Sequence, residues 1–469
     1  MRIGVFHEAP YYLRYYGTSL TALVERGHRV LLARPDRYDD VPVPAALRKR
    51  SNVTTGLYPW NRADGRDTAA SIVRAAHDFA RYSAPPLDTA YANRARAFER
   101  LRRTVVGKAR SLEADVELPE IALGEGDWKT LDELFRGLER LIAPDEGIRR
   151  FIRANKLDVV VCISRINIAA RQTDVVKSAK SLGVPTGLIV YSWDNLSSKG
   201  LIHEQPDRLF VWNNVQAREA EELHGIAPES VAVTGAVRFD SMFDARPSAD
   251  RESLLAELGL EARRKTVLWL GSSAFVAPHE PSVVERWLDA LRDSGDPKLA
   301  NANVIVRPHP GTVGNAAWAN WRPPSGTVVP APVVRKRTQD LYDQIFASDA
   351  VVSLNTSAEI EAAIVGRPVL TFDAGDQAPG QEGSVHFRYL LAEEGGFVEH
   401  ALGLEAHLVQ LASAVGNDPL ADARRRFLET FVRPNGLDRP AGPDLADAIL
   451  GLGSGRPGRL RSRIAALKR

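Results

Sequence analysis

The stretch 349–373, DAVVSLNTSAEIEAAIVGRPVLTFD, leaves the chain few folds to choose from. Val351 and Val352 form a short apolar run that stops at the polar turn Ser353, Asn355, Thr356 and Ser357. Ile360, Ala363 and Ile364 then recur at helical spacing, and Gly366 closes the helix before Pro368 and a second apolar run at 369–372. Strand, turn, helix and strand in that order make a βαβ unit, which requires a parallel sheet. The helix start after the first strand presents free N–H groups and the positive end of a dipole, a setting that suits a phosphate. An ordinary βαβ unit, in which Thr356 to Glu359 is only a capping box, accounts for the same residues.

The alternation recurs along the chain. Strands are expected at residues 3–6, 30–33, 158–164, 186–192, 208–212, 231–234, 265–270 and 303–306, with helices between several of them, as at 19–25, 174–182 and 216–223. The expected fold class is therefore α/β with a parallel sheet in each half. At 469 residues, 44% of them apolar, the chain is long enough for two domains with a core each. The sequence divides into residues 1–205, carrying a basic helical insertion at about 67–155, residues 206–430, and an extension at 431–469. The join is expected near 201–207. Beyond residue 416 the chain reads as helical and then rich in Gly and Pro, and is expected to pack back on the first domain.

Composition excludes several classes. A formal charge of +2 with 26% charged residues gives no bulk field for nucleic acid. The single cysteine, Cys162, lies in the run VVVCIS and reads as buried packing, with no disulfide framework or thiolate metal site. The chain opens on MRIGVFHEAP, already a strand, and no apolar run approaches the roughly 20 residues that span a bilayer. A cytoplasmic protein is expected. No HExxH, cleft Asp-x-Asp pair or G-x-S-x-G elbow occurs, and the glycine fingerprint of a dinucleotide fold is absent after the first strand.

Three strand ends of the second half carry groups suited to phosphate. Gly271-Ser272-Ser273 supplies small residues, N–H groups and hydroxyls, and Arg307-Pro308-His309-Pro310 supplies donors held by prolines. Asn355, Thr356 and Ser357 stand at a helix start. A diphosphate requires this mix of amides, hydroxyls and a dependable cation, and Arg grips phosphate in bidentate fashion. The alternative pairs Arg307 with a carboxylate and packs His309 against the sheet. Glu361, one turn into the helix, is placed to reach a ribose diol or is simply a favourable charge in the first turn. Glu359 reads as the capping-box partner.

These residues, with the EAAIVGRPVL pattern and the RPHP turn, resemble the GT-B glycosyltransferase superfamily. Within it the likeness is to the CDP-glycerol glycerophosphotransferase and capsule-sugar transferase group. The phrase VTGAVRFD is similar to the matching segment of that group and of UDP-N-acetylglucosamine 2-epimerases. The resemblance covers mainly residues 209–390. It implies two facing Rossmann-like domains with an interdomain cleft, the donor nucleotide on the C-terminal one, the acceptor on the N-terminal one, and neither a bound metal nor a cofactor. Arg307 and His309 would then contact donor phosphates, Ser357 the phosphate or its bridge, and Glu361 the ribose. Where the teichoic-acid enzymes usually carry a Ser-Ser/Asp turn, this chain has NTSAEIE, which counts against CDP-glycerol as the donor.

Transfer to an acceptor hydroxyl needs a base. Asp194, in SWDN, ends a parallel strand, and His7, beside Glu8, ends the first strand, where many GT-B enzymes keep a catalytic histidine. A turn aspartate and a loop histidine are the plain alternatives. Trp193, Asn195, Lys199 and His203 are expected to line the acceptor side or the hinge, and His386 either closes over the donor or sits on a surface loop. The basic helix 94–110 and the tail GRPGRLRSRIAALKR suit peripheral contact with the inner face of an anionic membrane, where a lipid-linked acceptor would reside. The expected activity moves a sugar or polyol-phosphate from a nucleotide-activated donor to a cell-surface glycan or lipid-linked acceptor. A UDP-sugar 2-epimerase and a non-catalytic nucleotide-binding scaffold are the competing readings.

Overall fold

Apolar runs that must be buried on both faces become the strands of two parallel sheets. The computed structural model describes residues 1–8, 12–41, 43–62, 64–110, 117–119, 128–166, 171–312, 316–324, 327–328 and 338–453. The first sheet contains β1 (Arg2–His7), β2 (Arg29–Pro35), β3 (Val53–Tyr58), β4 (Val159–Ser164), β5 (Thr186–Val190), β6 (Arg208–Val211) and β7 (Val231–Val233). Its strand order is β3-β2-β1-β4-β5-β6-β7 and each pairing is parallel. Side chains alternate between two cores: Ile3, Val5, Val159 and Val161 enter one, Phe6, Val160 and Cys162 the other. Cys162 is thus interior packing, as the run around it implies.

The second sheet contains β8 (Thr266–Leu270), β9 (Asn303–Arg307), β10 (Thr327–Val328), β11 (Ala350–Ser353), β12 (Val369–Phe372) and β13 (Val398–Ala401). Its order is β10-β9-β8-β11-β12-β13, again parallel throughout. Trp269 and Trp287 meet inside its core with ring centroids 5.2 Å apart. The chain is therefore an α/β protein of two Rossmann-like units.

The join lies further along than the sequence suggested. One unit is Met1–Asp240 with the segment from Glu429 onward, and the other is Ser241–Leu428. Strands β6 and β7, assigned from sequence to the second domain, extend the first sheet instead. The reason is a lock at the start of β6: Asp207 accepts from the Thr186 amide at 2.8 Å and its hydroxyl at 2.7 Å. VTGAVRFD closes the first unit, where Asp240 accepts from the Thr18 hydroxyl at 2.7 Å, from the Ala441 and Gly442 amides at 2.9 Å and from Arg433 at 3.0 Å. That knot returns the C-terminal helix Gly442–Gly453 to the first unit, where Leu445, Ala446 and Ile449 complete a core.

The helical insertion divides at Pro85 and Pro86 into helices Asp67–Ala80 and Tyr91–Arg110, and continues as Trp128–Leu141 and Glu146–Ala154. Asp145 caps the last by accepting from the Gly147 and Ile148 amides. A buried ion network fastens the insertion to the helix Gln172–Lys180: Arg74 bonds Glu139 at 2.9 Å and Asp174 at 3.0 Å, Arg62 bonds Asp174 at 2.9 Å, and Lys177 bonds Glu139 at 2.7 Å. Among the described residues no helix is long and apolar enough to cross a membrane. The basic tail lies outside the described residues.

Candidate phosphate site and acceptor-side residues

In the second unit, β9, β8 and β11 are neighbours, with Leu270 level with Arg307 on one side and Ser353 on the other. The turns that follow, 271–273, 308–309 and 354–357, therefore leave one edge of the sheet at one height. Strand order reverses between β8 and β11, and in open parallel sheets such a reversal opens a crevice at the carboxyl ends of the strands.

Gly271 is held here by close approach. Its amide donates to the Arg307 carbonyl at 2.8 Å, and a Cβ would stand 2.7 Å from the His309 amide nitrogen. The RPHP turn thus packs on the glycine turn, and only a residue lacking a side chain fits. His309 Nδ1 accepts from the Gly311 amide at 2.9 Å, which leaves the ring proton on Nε2. Burial lowers the pKa of this imidazole, so near neutral pH the ring is uncharged. Arg307 donates to Gln344 Oε1 at 2.7 Å; burial pulls its guanidinium below the usual value while Asp340 and Glu361 oppose that. Glu361, read as a ribose contact, is thus within electrostatic reach of Arg307.

Two residues of the turns have interior duties. The Ser272 amide donates to Glu280 Oε1 at 2.7 Å, and the Ser272 side chain is fully buried. Asn355 is buried and donates to Ser384 Oγ at 3.2 Å. The Thr356 amide donates to Glu359 Oε1 at 3.2 Å, the glutamate half of the capping box expected from the sequence, while the Glu359 amide bonds the Thr356 backbone carbonyl and not its hydroxyl. Ser273, Ser357 and Glu361 are half-buried along the same edge. The Ser384 bond ties the segment carrying His386 to this turn. His386 is buried, not on a surface loop.

Glu280 was invisible to pattern reading. It opens the helix Glu280–Arg292, accepts also from Trp269 Nε1 at 3.3 Å, and burial raises its pKa to about 8. Glu359 behaves alike: burial raises it to about 7, against the bonds from Ser353 and Thr356. Two carboxyls whose pKa is raised by burial thus underlie these turns. Their signal in the sequence is an acid in the first turn of each helix following a Ser-rich strand end.

In the first unit, His7 ends β1 level with Ile163 of β4, where that sheet's order also reverses. A small cavity of about 10 Å³, room for roughly one water, lies there, lined by His7, Glu8, Tyr58, Gln172 and neighbouring apolar residues, and His7 itself is buried. Glu8 accepts from the Arg171 amide, and burial raises its pKa to about 7. Asp194 lies beyond the end of β5, which is the second strand over from β1 and so about 10 Å across the sheet. It is paired with Lys199 at 2.9 Å and accepts from Ser198 Oγ at 2.8 Å and Asn195 Nδ2 at 3.1 Å. Trp193 and Asn195, expected to line an acceptor surface, are interior. Asn195 Oδ1 is occupied inside the turn by the Ser192 amide at 2.9 Å. His203 is interior as well, 3.1 Å from Asp78.

No protein-family model matches the chain, and no curated protein sequence matches it. Among solved structures, it is similar to UDP-N-acetylglucosamine 2-epimerase from Rickettsia bellii, at 11% identity over 99% of each chain and a TM-score of 0.49. WaaG, a glycosyltransferase involved in lipopolysaccharide biosynthesis, aligns at 13% identity over 96% of this chain and 100% of that one, with a TM-score of 0.48. MurG from Acinetobacter baumannii aligns at 13% identity over 96% and 99%, with a TM-score of 0.46. With identities this low and TM-scores below 0.5, these likenesses carry no inference about what the chain does.

Proposed function

We propose that the protein is a nucleotide-dependent transferase of the GT-B kind. It would pass a sugar or polyol-phosphate from an activated donor to a hydroxyl of a cell-surface glycan or lipid-linked acceptor, without a metal. The observation that carries this reading is the common edge of β9, β8 and β11. It gathers Arg307, His309 and the start of the helix Ala358–Val365 at the reversal of strand order, and the RPHP and EAAIVGRPVL patterns agree with it.

In this reading the second unit holds the nucleoside diphosphate. His309 donates from Nε2, Arg307 supplies positive charge, and the amides at the helix start face the phosphate whose negative charge grows as the bond to the transferred group breaks. Glu361 meets the ribose. The acceptor oxygen forms the new bond and gives its proton to a base in the first unit, His7 or Asp194. Lys199, Ser198 and Asn195 bond the Asp194 carboxylate and His7 is buried at its own sheet's reversal, so the reading keeps both as candidates for the base.

A nucleotide panel of CDP, CMP, UDP and GDP in thermal unfolding tests the reading. Ligand at about 100 Kd adds ~2.7 kcal/mol to stability, and Arg307→Gln should abolish the shift. If no nucleotide raises the melting temperature, the donor site does not exist. Sugar interconversion without any acceptor would identify an epimerase instead.

A further inference from the structure

We propose that the helix Trp128–Leu141 of the first unit is a dimer interface, which pairs antiparallel with the same helix of a second copy of this chain. Its sequence, WKTLDELFRGLERL, sets Leu131, Leu134, Leu138 and Leu141 at alternating spacings of three and four. That spacing makes a narrow leucine seam, the kind that serves one facing helix rather than a broad core. The seam is largely unused within one copy, because a different face anchors the helix. Trp128 and Phe135 stack on His77 with ring centroids 5.7 and 5.2 Å away, and Asp132 pairs with His77 at 2.9 Å. Glu139 is held by Arg74 and Lys177. Residues 128, 132, 135 and 139 are spaced as one side of a helix. Leu131 is half-buried at its margin, while Leu134, Leu138 and Leu141 are 54%, 36% and 77% exposed.

Gly137 stands beside the seam in the middle of the helix, where glycine is unfavourable. Nothing within the copy calls for it. Its backbone is not left-handed, and a Cβ there would meet no atom within 4 Å. A second helix approaching closely from outside does call for it.

Charge selects the occupant and its direction. A two-fold antiparallel pairing sets Leu131 against Leu141 of the second copy and Leu134 against Leu138 of the second copy, with the axis level with Arg136. The same axis brings Glu133 level with Arg140 of the second copy and leaves Gly137 almost facing its counterpart. Glu133 and Arg140 are exposed, and neither enters an ion pair among the described residues. A parallel pairing would instead set glutamate against glutamate and arginine against arginine. An anionic lipid surface suits the face less well, since Glu133 would be repelled and the apolar strip is narrow. The pairing does not depend on the transferase reading.

Sedimentation equilibrium of the full-length protein from about 1 to 200 µM should show a mass rising from one copy to two, since a contact of this size falls in the weak class. Leu134→Glu with Leu138→Glu should leave one copy throughout, with the melting temperature of dilute protein unchanged. Glu133→Arg alone and Arg140→Glu alone should each weaken pairing at least threefold, and the two together should restore it to within twofold of the parent. Gly137→Cys should cross-link into a covalent pair when copper phenanthroline and oxygen oxidise the thiols; Cys162 is buried and does not compete. Lys129→Cys should not, because the antiparallel register holds its two thiols about 21 Å apart along the helices. A single-copy mass at the highest concentration refutes the pairing, and so does a dimer that survives the leucine substitutions. If single copies instead sediment with phosphatidylglycerol vesicles, and the leucine substitutions abolish this, the face belongs to a lipid surface and the proposal is overturned. Should the leucine variant fail to fold, the charge exchange and Gly137→Cys decide: absence of either the rescue or the cross-link refutes it.

Discussion

The Ser272 amide donates to the Glu280 carboxyl at 2.7 Å, directly beneath the turn read as a phosphate cradle. An ionised carboxylate in that place would oppose a bound phosphate. Burial keeps the group protonated up to about pH 8, and the conflict is thereby reduced.

Stability should report that proton. An unfolded glutamate loses it near pH 4.3, whereas the folded one keeps it to about 8. Between those values the native state binds the extra proton, so the contribution present below pH 4.3 is lost as pH rises through about 8. Glu280→Gln retains the acceptor for Ser272 and Trp269 and removes the titration. Its urea midpoint should match the parent's near pH 4 and exceed it increasingly up to pH 9. Glu280→Ala strips both donors and should cost about 1–3 kcal/mol at either pH. Equal pH profiles for Gln variant and parent would mean that Glu280 is ionised in the fold.

His309 makes a separate prediction. Its Nδ1 is taken by the Gly311 amide and its pKa is lowered by burial, so the ring presents Nε2–H as a neutral donor above pH 7. A hydrogen bond to a charged phosphate contributes about 1.5–3 kcal/mol. His309→Phe should therefore weaken nucleoside diphosphate binding roughly tenfold or more. The parent's affinity should stay flat between pH 7 and 8.5; an affinity falling steadily over that range would point to a charged imidazole.

The buried network that docks the helical insertion should govern acid stability. Burial alone would raise Asp174, but Arg74, Arg171 and Arg62 outweigh it and hold the carboxylate at about 2. Its free value is about 3.9, so its contribution is complete above that value and is lost as pH falls through about 2. Asp174→Asn leaves buried guanidinium groups without their charge partner and should cost about 3–5 kcal/mol. Chemical denaturation at pH 7 and pH 3 measures both effects, and the variant's loss should be smaller at the lower pH.

What the sequence disclosed follows from how locally each feature is encoded. Runs such as VVVCIS and VLTF are buried on both faces and announce themselves as parallel strands. VTTGLY at β3 and VEHA at β13 do not, because both lie at sheet edges with half their residues toward solvent. The domain join was misplaced for a related reason. RLFV and VAV read as strands of any sheet, and the Asp207–Thr186 lock that assigns them to the first is 21 residues apart in sequence. The polar turns after β8, β9 and β11 were legible one at a time, each being local. Glu280 was not, since its meaning depends on Trp269 and Ser272 closing over it.

The turn that carries Lys199 offers the sharpest structural check. A Cβ on Gly200 would stand 2.4 Å from Asp78 Oδ2. That carboxylate is buried, accepts from the Leu201 amide at 2.6 Å and pairs with His203 at 3.1 Å, so it has no cheap direction in which to retreat. Gly200→Ala should therefore cost about 1–3 kcal/mol through overpacking. Asp78→Ala should be costly for another reason, because it leaves the Leu201 amide without its acceptor. In the double variant the clash disappears along with the carboxylate, so the methyl group should add almost nothing to the Asp78→Ala loss. A coupling of about 1 kcal/mol or more in the double-mutant cycle is expected. Additive losses would mean that the methyl meets some obstacle other than Asp78, and the account of how this turn is held would have to change.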